Sequence, residues 1–386
     1  MRSSRPRRTT TTTENGRRIP ARRIKARVSR SDGRVEPASQ PQRVPVIAVD
    51  ANGADLGPGE VVAGANLAAR EGLRVLLFGP AAEMGAAGPG IEVIDAPESI
   101  AKTANPAAAA RSQPRSSIVR AAQAVAAGDA DALVSAGATG AALAAALFNI
   151  KRDRGISRPA LAALIPVPGA PVTLVDVGAN TEVRAEHLVQ FAFMGAALAQ
   201  VVHGVAQPRV ALLSVGEEAT RGTPLVQEVH ARLSAAEELR FVGNVEGHAL
   251  TEGKADVVVT DGFTGNITLK VMEGVSDKMV ALLRETATSS RRAKAGGVLM
   301  RPALRAFRDE IHPEMAGGAY LLGLRRIGVV GHGRFTSRGF SQAILLAARG
   351  VRGDVVGRTH EALERAGALR KPGSALSDGG STVSAS

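Results

Sequence analysis

Residues 255–266 read ADVVVTDGFTGN. The run Ala255–Asp261 is almost continuously apolar, closes on Asp-Gly, and is followed by residues that can enter a helix. The same pattern recurs at Val44–Asp50, Leu73–Gly79, Ala132–Ser135, Ala160–Pro166, Val172–Val177, Arg209–Val215 and Arg240–Gly243. These runs are rich in Val, Ile, Leu and Ala and do not alternate with polar residues. That marks strands covered on both faces, as in a parallel sheet. Helical periodicity lies between them, at Glu60–Glu71, Ser117–Ala127 and Arg184–Val202. Thr223, followed by Pro224, is expected to cap a helix running to about Ala236, and Asn266 one running to about Thr286. Strands alternating with helices predict a doubly wound α/β architecture, whose ligands sit outside the carboxyl ends of the strands. Most of the runs end in Gly plus a polar residue, so the pattern also predicts where the site lies.

The chain has 386 residues, 45% apolar and 22% charged, enough for two domains or one large one. It contains no Cys, which excludes a Cys nucleophile, thiolate metal sites and disulfides. No Trp and a single Tyr, Tyr320, leave little with which to stack single-stranded nucleic acid. The net charge of +12 is unevenly placed. Residues 1–43 hold 13 Arg and Lys against Glu14, Asp32 and Glu36, a balance of +10, which leaves +2 for the other 343 residues. The basic character therefore belongs to a tail too poor in large apolar residues to fold, and no nucleic-acid partner is expected. Residues 371–386 are Gly- and Ser-rich and read as a flexible C-terminal tail. The long uncharged stretches Ala132–Ile150 and His187–Pro208 are interrupted by polar residues and read as buried elements, not membrane spans. A segment about 275–315 is expected to protrude. Within it SSRRAKAGGVLMRPALRAFR (residues 289–308) reads either as a loop and helix on an oligomer surface or as a basic, apolar patch for a membrane surface.

Six strand-end motifs carry the chemistry. The first, VDANGADLGP, holds Asp50 and Gly53, and the second, SAGATG, holds Ser135, Gly137, Thr139 and Gly140 ahead of a helix N-terminus that suits an anion. The third is Asp176 to Asn180, the fourth Gly216 and Glu217, the fifth Asn244 and Glu246. The sixth is Asp261, Gly262, Gly265 and Asn266, with Lys270 one turn into the helix. All six are expected to converge on one sheet edge. Backbone donors, Asn side chains and one cation suit an oxyanion such as phosphate, while the carboxylates would equally suit a hydrated cation. The seven His show no short-range ligand spacing, and only His248, beside Glu246, stands near a motif. No Gly-x-Gly-x-x-Gly, Walker or Gly-x-Ser-x-Gly pattern accompanies the strands.

Taken in order, IAVDANGADLGP, ADALVSAGATGAALAAALF, RPALAALIP, VDVGANTEVRAEHLVQFAFMG, FVGNVEG and ADVVVTDGFTGNITLKVMEG resemble the bacterial phosphate acyltransferases of the PlsX family. The resemblance covers about Val46–Ala348, within an expected acyltransferase domain at 44–350. It implies a three-layer Rossmann-like α/β fold with a mostly parallel sheet, similar to isocitrate dehydrogenases and phosphotransacetylases. It also implies a homodimer, no metal and no organic cofactor. The implied reaction converts acyl-[acyl carrier protein] and inorganic phosphate to acyl phosphate and free carrier protein, feeding phospholipid synthesis. A downstream glycerol-phosphate acyltransferase, a cytoplasmic location and peripheral attachment to the inner face of the membrane are implied with it. Asn52, Ala54, Leu56 and Ala138 stand where the family usually has Met, Gly, His and Asn, and Gly331 replaces the Ser of Ser-His-Gly. Two other readings stand beside this one: a phosphotransacetylase-like enzyme using acyl-CoA, and a non-catalytic homologue that only binds carrier protein. On the acyltransferase reading, the Ser135–Gly140 turn and Lys270 capture phosphate. Asn180, Asn244 and Asn266 orient it or stabilise the tetrahedral oxyanion, and Asp50 and Asp261 either orient Lys270 or cap loops.

Overall fold

The computed structural model describes residues 43–311 and 313–370, so the readings of residues 1–42 and 371–386 as tails lie outside the described residues. Eleven strands form one sheet. In chain order they are β1 (Val46–Asp50), β2 (Arg74–Gly79), β3 (Ile91–Asp95), β4 (Ala132–Ser135), β5 (Ala160–Ile165), β6 (Val172–Val175), β7 (Arg209–Leu213), β8 (Arg240–Val245), β9 (Val257–Val259), β10 (Ala319–Leu322) and β11 (Ile327–Val330). Their order across the sheet is β3-β2-β1-β4-β11-β10-β5-β6-β9-β7-β8. The helices are α1 (Pro58–Ala69), α2 (Ala81–Met84), α3 (Pro106–Ser112), α4 (Ser117–Ala127), α5 (Thr139–Asn149), α6 (Ala185–Val202), α7 (Pro224–Ser234), α8 (Gly262–Thr288), α9 (Arg291–Ile311), α10 (Pro313–Ala316), α11 (Ser337–Arg352) and α12 (Val355–Arg365).

Alternate residues of the strands feed two cores. Ile47, Val49, Val75 and Val134 pack with α1, α6, α7, α11 and α12 on one face. Val46, Ala48, Leu76 and Leu133 pack with α3, α4 and α5 on the other. Both faces are thus covered, which is why the runs lack alternation, and the expected three-layer α/β fold is what forms. α6 is, among the described residues, the one helix long and apolar enough to cross a membrane, and it lies mostly buried as a core helix.

The expectation of one shared sheet edge is corrected by three antiparallel pairings, β11 with β10, β10 with β5 and β5 with β6. Three reversals in a row make β6, β9, β7 and β8 run opposite to β1, β2, β3, β4 and β11. The carboxyl ends of the two groups therefore leave the sheet at opposite edges. Only six residues, 166–171, join β5 to β6, and four, 323–326, join β10 to β11. Connections that short make hairpins, since a parallel crossover needs a dozen or more residues.

Two further expectations change. Asp261, not Asn266, caps α8: its carboxylate accepts from Thr264 N at 2.8 Å and from Thr264 Oγ1 at 2.7 Å. Residues 289–308 form a two-residue break and most of α9, the loop and helix expected; α9 contacts α8, and no described residue from Asn266 to Arg308 is buried. α11 and α12 carry the folded unit past 350, with Phe340, Ile344, Ala347 and Leu363 in the core.

Candidate active site

β1 and β4 end side by side, with Asp50 paired to Ser135. Both side chains are enclosed. Ser117 Oγ, at the start of α4, donates to Asp50 Oδ1 at 2.6 Å, and Asn52 N donates to the same oxygen at 3.1 Å. Asn52 Nδ2 donates in turn to Ser117 Oγ at 2.9 Å and to Ala96 O at 3.2 Å. Burial pushes the Asp50 carboxyl up to about 7, against the pull of the Ser117 and Asn52 hydrogen bonds. Ser135 Oγ is enclosed beside this carboxyl and adds to the hydrogen bonding that opposes the rise, without meeting strict hydrogen-bond geometry to any protein atom.

Three turns meet over this pair. Gly137, at φ +146°, follows Ser135, and a methyl group there would lie 2.7 Å from Gly333 Cα. Asp55 N donates to Gly333 O at 2.7 Å, and Gly331 N to Ser135 O at 2.9 Å. The β1–α1, β4–α5 and β11–α11 turns are thereby locked together. No side chain caps the N-terminus of α5 at Thr139 and Gly140, which leaves first-turn N–H groups free for an anion.

α8 joins the two halves of the sheet. Its first turn is held by the β6 loop: Gly262 N donates to Asn180 O at 2.7 Å, and a methyl group on Gly265 would lie 1.8 Å from Asp176 O. Asp176 accepts from the backbone N–H groups of Leu161, Gly178, Ala179 and Asn180 and from Asn180 Nδ2. Burial raises its carboxyl from the usual range, and these donors oppose that. Beyond this anchor Leu269 and Met272, half-buried, pack on the second core. Asn266, Lys270 and Glu273 follow at helical spacing, with Asn266 against Gly178 and Lys270 Nζ on Glu273 Oε2 at 2.7 Å. Lys270, Glu273, Asp55 and Arg334 all act electrostatically on His332 in the β11–α11 turn.

The structure gathers Asp50, Gly53, Ser135, Gly137, Thr139 and Gly140 in one region, and Lys270 acts electrostatically on His332 of the turn packed against it. It does not bring the other predicted residues there. Asn244 lies on the edge strand β8, eight strand steps from β1, or about 38 Å along the sheet at ~4.8 Å per strand. Its amide is committed to Glu218 O at 3.0 Å and to His230 Nδ1 at 2.9 Å. Asn180 Nδ2 is committed to Pro159 O at 2.7 Å and Asp176 Oδ2 at 2.8 Å. Both side chains hold loops. Gly216, Glu217 and Glu246 sit beside Asn244 on the β7–β8 side, where Lys254 bonds Glu217 at 2.9 Å and His248 lies 3.3 Å from Glu246. Asp261 caps α8 and Gly262 and Gly265 seat it, while Lys270 is oriented by Glu273 and not by Asp50 or Asp261. Sequence reasoning passed over His332, Asp55 and Glu273 as site residues. The signal for His332 was the apolar run 327–330 closing on Gly-His-Gly, the same punctuation as the other motifs. Among the described residues no three His, Asp or Glu side chains gather as a metal ion would need.

Residues 45–358 match the family model described as fatty acid synthesis protein. Curated phosphate acyltransferases match at similar length. The one from Pelotomaculum thermopropionicum is 42% identical over 79% of this chain and 91% of its own. The one from Thermobifida fusca is 42% identical over 86% and 94%.

The chain belongs to the phosphate acyltransferase family.

Solved phosphotransacetylases share the fold of this chain. EutD phosphotransacetylase from Staphylococcus aureus aligns at a TM-score of 0.54, with 18% identity over 80% of this chain and 94% of that one. A phosphotransacetylase from Streptococcus pyogenes aligns at 0.52 with 19% identity, over 80% and 94%. At that identity the likeness concerns architecture alone. Within the acyltransferase family frame, Asn52 takes on a visible role in this chain. Its amide ties the 96–98 loop and Ser117 to the Asp50 turn.

Proposed function

We propose that the enzyme transfers an acyl group from acyl-[acyl carrier protein] to inorganic phosphate in the cleft between Ser135 and Lys270. The product acyl phosphate feeds phospholipid synthesis through a glycerol-phosphate acyltransferase. The observation that carries this reading is the set of three interlocked turns over the enclosed Asp50–Ser135 pair, beside an uncapped helix N-terminus, with Lys270 acting electrostatically on His332 in one of those turns. Those are the donors an oxyanion needs, and Asp50, raised towards neutrality by burial, spares the anion a full negative charge at its side.

A phosphate oxygen attacks the thioester carbonyl carbon, the carbonyl π pair moves to oxygen, and the tetrahedral intermediate collapses with loss of the carrier thiolate. A thioester is already activated and phosphate is itself a nucleophile. Alignment of two reactants contributes ~7–11 kcal/mol. Acid–base help contributes ~10²–10⁴-fold. Positioning therefore dominates, in keeping with a chain that has no Cys to acylate. The test is phosphate-dependent acyl hydroxamate formation from acyl-carrier and acyl-CoA donors, with the parent and Lys270→Ala. Carrier-dependent product and a ~10²–10³-fold loss in the folded variant are expected. Equal rates with acyl-CoA, or parental turnover by the variant, refute the reading.

The homodimer and the cytoplasmic, peripheral membrane location belong to the same proposal. Ile267, Val271, Val275, Met279 and Leu283 form an exposed apolar stripe along α8. Residues four apart form a ridge, which suits crossed packing against the same ridge of a second copy. On α9, Val298, Leu299 and Met300 are exposed, Leu299 at 84%, amid Arg291, Arg292, Lys294, Arg301 and Arg305. Such a mixture of basic and apolar residues suits an anionic lipid surface.

A further inference from the structure

Among the described residues, His332 is the imidazole that stands in the turns around Ser135 and feels Lys270, and nothing in the scheme above uses it. Its backbone is fixed by both neighbouring turns. Gly331 N is bonded to Ser135 O at 2.9 Å, Asp55 N to Gly333 O at 2.7 Å and Phe335 N to His332 O at 2.9 Å. A methyl group on Gly333 would lie 3.2 Å from the Asp55 carboxyl, so this turn has no room to drift. The Phe335 ring lies 6.1 Å from the imidazole, centre to centre.

The tautomer follows from one hydrogen bond. Arg334 N donates to His332 Nδ1 at 3.2 Å. A backbone N–H only donates, so Nδ1 carries the lone pair and the neutral ring holds its proton on Nε2. The charges around the ring favour that neutral form. Burial, Lys270 of α8 and Arg334 of its own turn lower its pKa, against Glu273 of α8 and Asp55 of the β1–α1 turn. The ring therefore offers a fixed, uncharged N–H donor beside the cation assigned to phosphate.

We propose that His332 is a catalytic residue whose Nε2–H donates to the thioester carbonyl oxygen as negative charge develops there during phosphate attack. The proton stays on the ring throughout: the carbonyl pair moves to oxygen, returns on collapse, and leaves with no net transfer to or from imidazole. A neutral donor adds little to binding of a phosphate already held by Lys270. Its contribution grows with the charge on the oxyanion, so it acts on turnover. Protonation of His332 would end the arrangement, since Nδ1 could no longer accept from Arg334 and a further cation would stand beside Lys270.

This rests on the acyl-transfer reading, and the parent protein separates the two. If the parent makes no acyl phosphate, that reading fails first. With an active parent, His332→Ala is expected to lower kcat ~10²–10³-fold with the KM for phosphate within about threefold. His332→Gln, whose amide can donate from a similar place, is expected to recover at least about tenfold of that loss. The parental kcat should fall on an acid limb below pH 6.5, the ordinary His value, and the Gln variant should lose that limb. Parental kcat in His332→Ala refutes the proposal. So does a loss confined to the KM for phosphate, or a Gln variant that keeps its fold and the melting temperature of the parent but is no more active than the Ala variant.

Discussion

Replacing Asp50 with asparagine is expected to stabilise the protein at pH 8 far more than at pH 5. In the folded chain the carboxyl is enclosed and its pKa stands at about 7, against 3.8 for an exposed carboxylate. A raised folded pKa means that the folded state holds a proton between pH 3.8 and 7 that the unfolded chain has released. Stability therefore falls as pH rises through that window and levels off above it. About three pH units at ~1.4 kcal/mol each give ~4 kcal/mol of lost stability above pH 7. Between pH 5 and 8 the share lost is about two units, or ~3 kcal/mol. In Asp50→Asn the Oδ1 still accepts from Ser117 Oγ and Asn52 N, and the amide NH₂ takes the place of the protonated oxygen. The asparagine has no charge to bury, so its stability should be flat with pH at this site. Urea unfolding of both proteins at pH 5 and pH 8 measures the difference, which should grow by ~3 kcal/mol in favour of the variant. A difference equal at both pH values would show that Asp50 is ionised at its ordinary pKa, and the account of the β1–β4 pair would fall with it.

Gly265→Ala places a methyl carbon 1.8 Å from Asp176 O, and Gly274→Ala, two turns along α8, meets nothing within 4 Å. The first should cost upwards of ~1–3 kcal/mol and the second gain ~0.5–1 kcal/mol, read as opposite shifts in melting temperature; matched shifts refute the anchoring of α8. Val271→Asp should split the dimer in analytical ultracentrifugation without unfolding it, and an unchanged mass refutes the α8 interface. Leu299→Asp with Met300→Asp should abolish flotation with anionic vesicles, itself expected to weaken at high salt, while leaving turnover on soluble carrier unaltered.

Most of the strands legible in the sequence are covered on both faces, with the half-exposed edge strand β8 legible beside them. β3 was missed because it is an edge strand whose residues are half exposed or exposed, so it shows no continuous apolar run. β10 and β11 are as short and as apolar as β4 and β6, so their signal was present in the sequence and was passed over. The candidate site was legible in the same partial way. Asp50, Ser135 and Gly137 were visible because their strand ends are rigidly punctuated, and Lys270 because it lies one turn into a helix. Asn244 looked equivalent, since a strand-end Asn reads alike whether it faces a ligand or bonds His230 and Glu218.

Composition and the repeated apolar runs by themselves determined an α/β chain with a sheet buried on both faces and chemistry at the strand ends, because burial on both faces leaves only one kind of side chain to use. Which strand ends meet was decided by the tertiary structure alone. Three antiparallel pairings turn half the sheet around, and Lys270 on α8, which starts in the reversed half, acts electrostatically on His332 in the other. Strand direction is a property of how distant segments pair, and no residue within a strand encodes it; the two short hairpin connections were the local trace of that reversal.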